Sequence, residues 1–157
     1  MTAQFAFKNV ALGEAPGEIE MFYPNGEPAR ATLNEEIAKA IRKSGESGTT
    51  CRVRVERLDD LIDQGLPGPD FIKIDTEGSE LGIHKGAVKT LKLHSPDLFI
   101  ELHGVSLESW VSNRRAIPEL PESLGYQTFN MRLQAVKAET KGVSHLYCKK
   151  LSYIANY

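Results

Sequence analysis

The chain has 157 residues, enough for one domain with a real core and too few for two comfortable ones. Hydrophobic residues make up 41% and charged residues 25%, ordinary globular usage that sets disordered and fibrous classes aside. Nineteen basic against 21 acidic residues leave a formal charge of -2, and no apolar run approaches the roughly 20 residues of a membrane span, so neither a nucleic-acid nor a membrane partner is expected.

In chain order, residues 4–12 read as a strand with Phe5 and Phe7 on one face. After the Ala15-Pro16-Gly17 turn, residues 18–23 alternate, with Ile19, Met21 and Tyr23 on one side and Glu18, Glu20 and Phe22 on the other. That pattern predicts a hairpin partner for the first strand. Residues 34–43 read as a helix with Asn34 as N-cap, glutamates in the first turn, Ile37 and Ile41 on one face, and Gly45 as the stop. Residues 51–56 alternate as a strand, and residues 58–63 make one short helical turn. Phe71-Ile-Lys-Ile-Asp75 reads as a short buried strand ending in an acid.

Residues 79–93 read as one helix with Leu81, His84, Val88 and Leu91 along a stripe, His84 being a satisfied core histidine. Residues 98–103 form the next strand, and residues 106–114 a helix capped by Ser106. A proline-interrupted stretch, 118–124, precedes two closing strands at 126–133 and 143–149. Strand, helix, strand in mid-chain is the pattern of parallel strands joined by right-handed crossovers, here expected side by side at the centre of the sheet. The closing pair suits an antiparallel edge. The first residues lack a secretory signal, and the two distant cysteines, Cys51 and Cys148, fit a reducing, cytoplasmic setting.

Polar residues concentrate at two strand ends: Asp75, Glu77 and Glu80 after one, Glu101 and His103 at the other. Ligands of open α/β sheets bind beyond the carboxyl ends of the strands, so Asp75, Glu101 and His103 are the candidate catalytic residues of one crevice, with Gly78 allowing the turn beside it. A carboxylate ending a buried strand is costly unless paired or used, which favours a chemical role for Asp75. Glu101 reads either way. Glu77 and Glu80 read as turn and helix-start residues. His94 and His145 have no evident partner. A metal could draw on Asp75, Glu77, Glu101 and His103, but no compact metal motif is present and none is expected. No P-loop, no Gly-x-Gly-x-x-Gly and no nucleophile elbow occur.

The run Arg57-Leu-Asp-Asp-Leu-Ile62, then Pro69-Asp-Phe-Ile-Lys-Ile-Asp-Thr-Glu-Gly-Ser-Glu80, Lys85-Gly-Ala87 and Ser95-Pro-Asp-Leu-Phe-Ile-Glu-Leu-His103 resembles the FkbM family of S-adenosylmethionine-dependent methyltransferases. Asn9-Val-Ala-Leu-Gly13 followed by Gly17-Glu-Ile-Glu20 is similar to the family's third strand and its hairpin. The resemblance implies an α/β, Rossmann-like methyltransferase sandwich with a mixed, mostly parallel sheet, and S-adenosylmethionine as cofactor. It also implies O-methylation of a small-molecule or saccharide hydroxyl. It places residues 9–11 near the adenine side and assigns no cofactor-binding residue.

The family's glycine-rich loop after its first strand, and the acid ending its second, have no counterpart. Residues 1–157 are therefore expected to form a single partial domain that binds the donor weakly or not at all and self-associates through an unpaired sheet edge. Two function classes follow: a methyltransferase with Asp75, Glu101 and His103 at its centre, or a non-catalytic remnant or interaction module that keeps the fold.

Overall fold

The computed structural model describes residues 7–76, 78–103, 116–136 and 144–150. Its elements are β1 (Ala11–Leu12), β2 (Gly17–Pro24), a 3₁₀ turn (Pro28–Arg30), α1 (Glu35–Lys43), β3 (Gly48–Glu56), α2 (Leu58–Asp63), β4 (Phe71–Ile74), α3 (Glu80–Lys85), α4 (Val88–His94), β5 (Asp97–Glu101), β6 (Tyr126–Phe129) and β7 (His145–Lys150). Residues 116–123 are also helical. The expected strand at residues 4–6, the helix at 106–114 and Glu77 lie outside the described residues. No helix among the described residues is long and apolar enough to cross a membrane.

The strands form two sheets, in the orders β1-β3-β2 and β4-β5-β7-β6. A single, mostly parallel sheet is thus corrected. Among the described residues only β1–β3 and β4–β5 are parallel, whereas β2–β3, β5–β7 and β6–β7 are antiparallel. The expected parallel neighbours are present, paired from Phe71 with Asp97 to Ile74 with Ile100. They are not central, because β4 is the edge of its sheet. The antiparallel closing edge is as expected.

The partner of β2 is also corrected. It pairs along its whole length with β3, from Gly17 against Val55 to Pro24 against Gly48, while β1 offers only two paired residues, both to β3. Two long alternating strands satisfy more backbone groups together than either could with β1. The buried side of β2 is the one carrying Phe22, 4% exposed, while Ile19 on the other side is 40% exposed. Phe22 packs with Ile37, Ala38 and Ile41 of α1, and the Arg42 guanidinium lies 4.4 Å from its ring centroid. Helix α1 starts as read: Asn34 Oδ1 accepts from the N–H groups of Glu36 (2.9 Å) and Ile37 (3.3 Å).

The larger core lies under the four-stranded sheet. Leu98 and Ile100 of β5 are fully buried against Leu91 of α4, Ile83 of α3, Leu146 of β7 and Ile117. The helix expected over residues 79–93 is broken into α3 and α4 at Gly86–Ala87. Two contacts account for the break. A Cβ on Gly86 would stand 1.9 Å from the carbonyl oxygen of Gly13, so the chain after β1 lies directly on this glycine. The N-terminus of α4 is capped from another helix: Asp59 of α2 accepts from Lys89 N–H at 3.0 Å, from Thr90 N–H at 2.8 Å and from the Thr90 hydroxyl at 2.8 Å. Gly86 in turn accepts from Asp59 N–H at 3.0 Å.

The strand expected to reach residue 133 ends at Phe129. Asn130 Oδ1 accepts from Arg132 N–H (2.9 Å) and Gln134 N–H (3.0 Å), and the chain folds back so that Val136 N–H reaches Thr128 O at 2.9 Å.

Asp59 is 3% exposed, so removing its carboxylate leaves several donors unsatisfied in the interior. Asp59→Ala is expected to lower stability by about 2–4 kcal/mol. Asp59→Asn keeps one acceptor oxygen and should lose less. Urea unfolding midpoints of the two variants check the order; equal losses would remove the capping account.

Candidate functional site

Asp75 directly follows β4, Glu101 ends β5 and His103 lies two residues on. Because β4 and β5 are parallel neighbours in register, their carboxyl ends coincide. One ligand-type atom from each of Asp75, Glu101 and His103 lies within 4.8 Å of the others. The expected juxtaposition of these three residues is therefore present.

Lys73 shares the strand face of Asp75, and its Nζ donates to Asp75 Oδ2 at 2.7 Å. The Lys73 ammonium holds the Asp75 carboxyl below the ordinary carboxylate range, outweighing the opposing effect of burial. The same pairing raises the Lys73 amine. Both groups are substantially exposed, and water screens the pair.

Behind the cluster stands Glu80, which is fully buried. Its Oε1 accepts from His103 Nδ1 at 2.9 Å and from Gly78 N–H at 3.2 Å. The ring's other nitrogen, Nε2, lies 3.7 Å from Glu101 Oε1, so a carboxylate faces each nitrogen of His103. On the far side, His145 of β7 is the register partner of Glu101, with Nε2 3.5 Å from Glu101 Oε2. Gly78 has φ +92°, and a Cβ there would meet Ile37 Cδ1 at 2.8 Å. The turn that delivers Glu80 thus needs glycine on both counts.

Asp75 also borders a cavity of about 380 Å³, lined by β1 residues Ala11 and Leu12 and by the outer edge of β4 from Ile72 to Ile74. Edge strands of both sheets thus line this cavity, β4 of one sheet and β1, with Met21 of β2, of the other. Glu101 and His103 lie outside its lining, so Asp75 is the residue common to cavity and cluster.

A family model, the methyltransferase FkbM domain, matches residues 2–128. The chain belongs to the FkbM methyltransferase domain family. Among solved structures, methyltransferase FkbM from Methylobacillus flagellatus KT is similar at 27% identity with a TM-score of 0.36, the match covering 62% of this chain and 23% of that one. The match therefore spans less than a quarter of the length of that chain. A comparison with curated proteins gave no match.

Within this FkbM domain the Leu-Asp-Asp-Leu segment supplies the Asp59 cap, and the Gly-Ala pair is the break between α3 and α4. Sequence reading missed three neighbours of the site. Glu80 does open α3 as a turn and helix-start residue, and its buried side chain in addition meets His103. Lys73 was legible, since residues two apart on a strand share a face. His145 was not, because its place depends on the β5–β7 register.

His84 is corrected in part. Its Nδ1 donates to Glu80 O at 2.7 Å, but the buried Nε2 has no partner among the described residues. Burial pushes its imidazole below the ordinary histidine range. The unfolded chain takes up a proton near pH 6.5 that the folded domain refuses, so stability falls as pH drops below about 6.5. His84→Gln should flatten the slope of unfolding free energy between about pH 6.5 and 5. Denaturant titrations across that window check this; parallel slopes would show that His84 does not carry it.

Proposed function

We propose that this FkbM domain transfers a methyl group from S-adenosylmethionine to a hydroxyl oxygen of a saccharide or another small natural product. The observation that carries the reading is the Asp75–Glu101–His103 cluster set at coincident strand ends beside a cavity of about 380 Å³. Small-molecule pockets run to roughly 300–1,000 Å³, so the cavity is of the right order for a donor of this size.

The residues present fit the cationic end of such a donor. Asp75 contributes a negative charge at the cavity wall, and Val10, Leu12 and Ile72 offer apolar surface. When bound, the donor supplies an electrophilic methyl carbon. The task of the chain is to place a hydroxyl oxygen in line with that carbon and to take its proton. Asp75, held ionised by Lys73, is a better acceptor for orienting the hydroxyl than for keeping its proton. An imidazole suits proton uptake near neutral pH, and Glu80 fixes the His103 ring with Nε2 on the Glu101 side.

Asp75→Asn, Glu101→Gln and His103→Gln are each expected to lower methyl transfer by about 10²–10⁴-fold. Asp63→Asn, which alters an exposed partner of Lys89, serves as the control. Transfer of labelled methyl from the donor to a panel of polyhydroxylated acceptors, with thermal unfolding alongside, provides the measurement. Near-full activity in all three variants, or losses that follow melting temperature, would overturn the site.

Donor affinity follows from the cavity wall. The 157 residues contain no glycine-rich turn where backbone could closely approach the donor at a helix start. We infer weak binding by this chain alone, and calorimetric titration giving a dissociation constant in the low micromolar range would contradict it.

A further inference from the structure

We propose that one face of the four-stranded sheet is a platform for a neutral oligosaccharide, which stacks on a row of aromatic rings leading to the strand-end cluster. Each strand of this sheet alternates between two faces. Leu98 and Ile100 of β5, with Leu146 and Cys148 of β7, point into the core, where residues of α2, α3 and α4 pack on them. The side chains between them point the other way, and Phe99, Tyr147 and Phe129 are there only half-buried. Register sets these rings in one row with a lysine at its end. Lys73 stands opposite Phe99, Phe99 opposite Tyr147, and Tyr147 opposite Phe129. The Phe129 and Tyr147 ring centroids are 6.2 Å apart, and Phe99 meets the His145 ring at 5.8 Å. The next row toward the carboxyl ends is Glu101 paired with His145, so the rings run directly into the cluster that Glu101 shares with Asp75.

Cross-strand ring pairs by themselves only stiffen a sheet. Two further features point to a ligand and to its kind. The first is size. Charged rows flank the rings on both sides, Glu101 and His145 on one and Asp97 and Lys149 on the other. Rows on one face lie about 6.6 Å apart and strands about 4.8 Å apart, so the strip is one ring wide and about 10 Å from its first ring to its last. That is on the order of 100 Å², against about 800 Å² for each side of a stable protein interface, whose centre also excludes charge. A chain of sugar rings needs no more than the strip.

The second feature is chemistry. A pyranose has an apolar C–H face and a rim of hydroxyls, so it takes a flat ring beneath it and hydrogen-bonding groups at its sides. Those groups are present and held in place. The Tyr147 hydroxyl donates to Asp97 Oδ2 at 2.6 Å, Lys149 Nζ donates to the same oxygen at 3.3 Å, and Glu101 Oε2 lies 3.5 Å from His145 Nε2. Lys73 and Lys149 are each bound to an acid on this face, Asp75 and Asp97. With its lysines so engaged, the face suits a neutral chain better than a polyanion.

The platform deepens the methyl-transfer reading and rests on it only in making the bound sugar the acceptor, with a hydroxyl brought to the Glu101 end of the row. Binding itself is tested without donor. Neutral glucose, mannose and rhamnose oligosaccharides, from monosaccharide to hexasaccharide, are titrated into the full chain by calorimetry. Saturation-transfer NMR identifies the sugar protons that lie on protein. Affinity should rise with chain length until the sugar outruns the row, with saturation strongest on ring C–H protons.

Tyr147→Leu and Phe129→Leu keep apolar bulk but lose the flat ring, and each should weaken binding about tenfold. Tyr147→Phe keeps the ring and should retain most of the affinity, which a merely structural hydroxyl contact to Asp97 would not predict. Tyr23→Leu, on β2 of the other sheet, should leave binding unchanged. Circular dichroism confirms that each variant is folded. Folded chain that takes up none of these sugars at millimolar concentration overturns the proposal, as does binding that both leucine variants leave unchanged. A dimer in sedimentation velocity that Tyr147→Leu splits, without sugar uptake, gives the face to a second copy and also overturns it. Sugar binding without methyl transfer would sink the methyl-transfer reading alone, and transfer to sugar-free hydroxyl compounds without sugar binding would sink the platform alone.

Discussion

The Asp59 carboxylate accepts hydrogen bonds from the first turn of α4 while sitting in α2, and much of the domain hangs from that cap. An uncapped helix start inside a core leaves donors without partners, so α4 can begin at Val88 only because α2 is docked there. Arg57 closes the arrangement by pairing with Asp59 at 3.2 Å. With α4 started afresh, α3 is free to end at Gly86, where the backbone after β1 lies against the glycine. Three segments far apart in sequence are thereby held at one junction. The short α3 that results carries Glu80 at its head, directly behind the ends of β4 and β5.

At those strand ends, electrostatics rather than packing dominates. Asp75 and Glu101 are partly exposed, so neither incurs the full cost of burial, and Lys73 offsets one of them. Glu80 is the exception, because it is buried and shares its bonded oxygen between a backbone N–H and an imidazole. Its contact with His103 orders the ring, and the β5–β7 register brings His145 to the other side of Glu101. Groups from a strand, a helix start and two further strand ends thus form one charged cluster beside an apolar-walled cavity.

Local pattern decided several features correctly. Asn34 before two glutamates and an Ile37/Ile41 stripe is a helix start in any context, since the cap bonds are made within three residues. Alternation at residues 51–56, and the Phe71–Asp75 and Leu98–Glu101 strands with a helical crossover between them, likewise needed only sequence-local reasoning. The failures share a cause. The 79–93 stripe continues unbroken through Gly86–Ala87, and nothing nearby in sequence announces that Asp59 and Gly13 will meet it there. Residues 18–23 alternate equally well for either partner strand, and β3 won by offering eight paired positions against the two of β1.

The sequence by itself determined the strand-end acids, the α/β pattern and the motif run that places the chain in its family, because each depends on spacing within a single element or crossover. Only the tertiary structure decided that β4 is an edge, that two sheets stand where one was expected, and that Glu80 and His145 join Asp75, Glu101 and His103. Those outcomes depend on register and on which buried donors find acceptors. Both are settled between segments dozens of residues apart, where side-chain spacing along the chain carries no information.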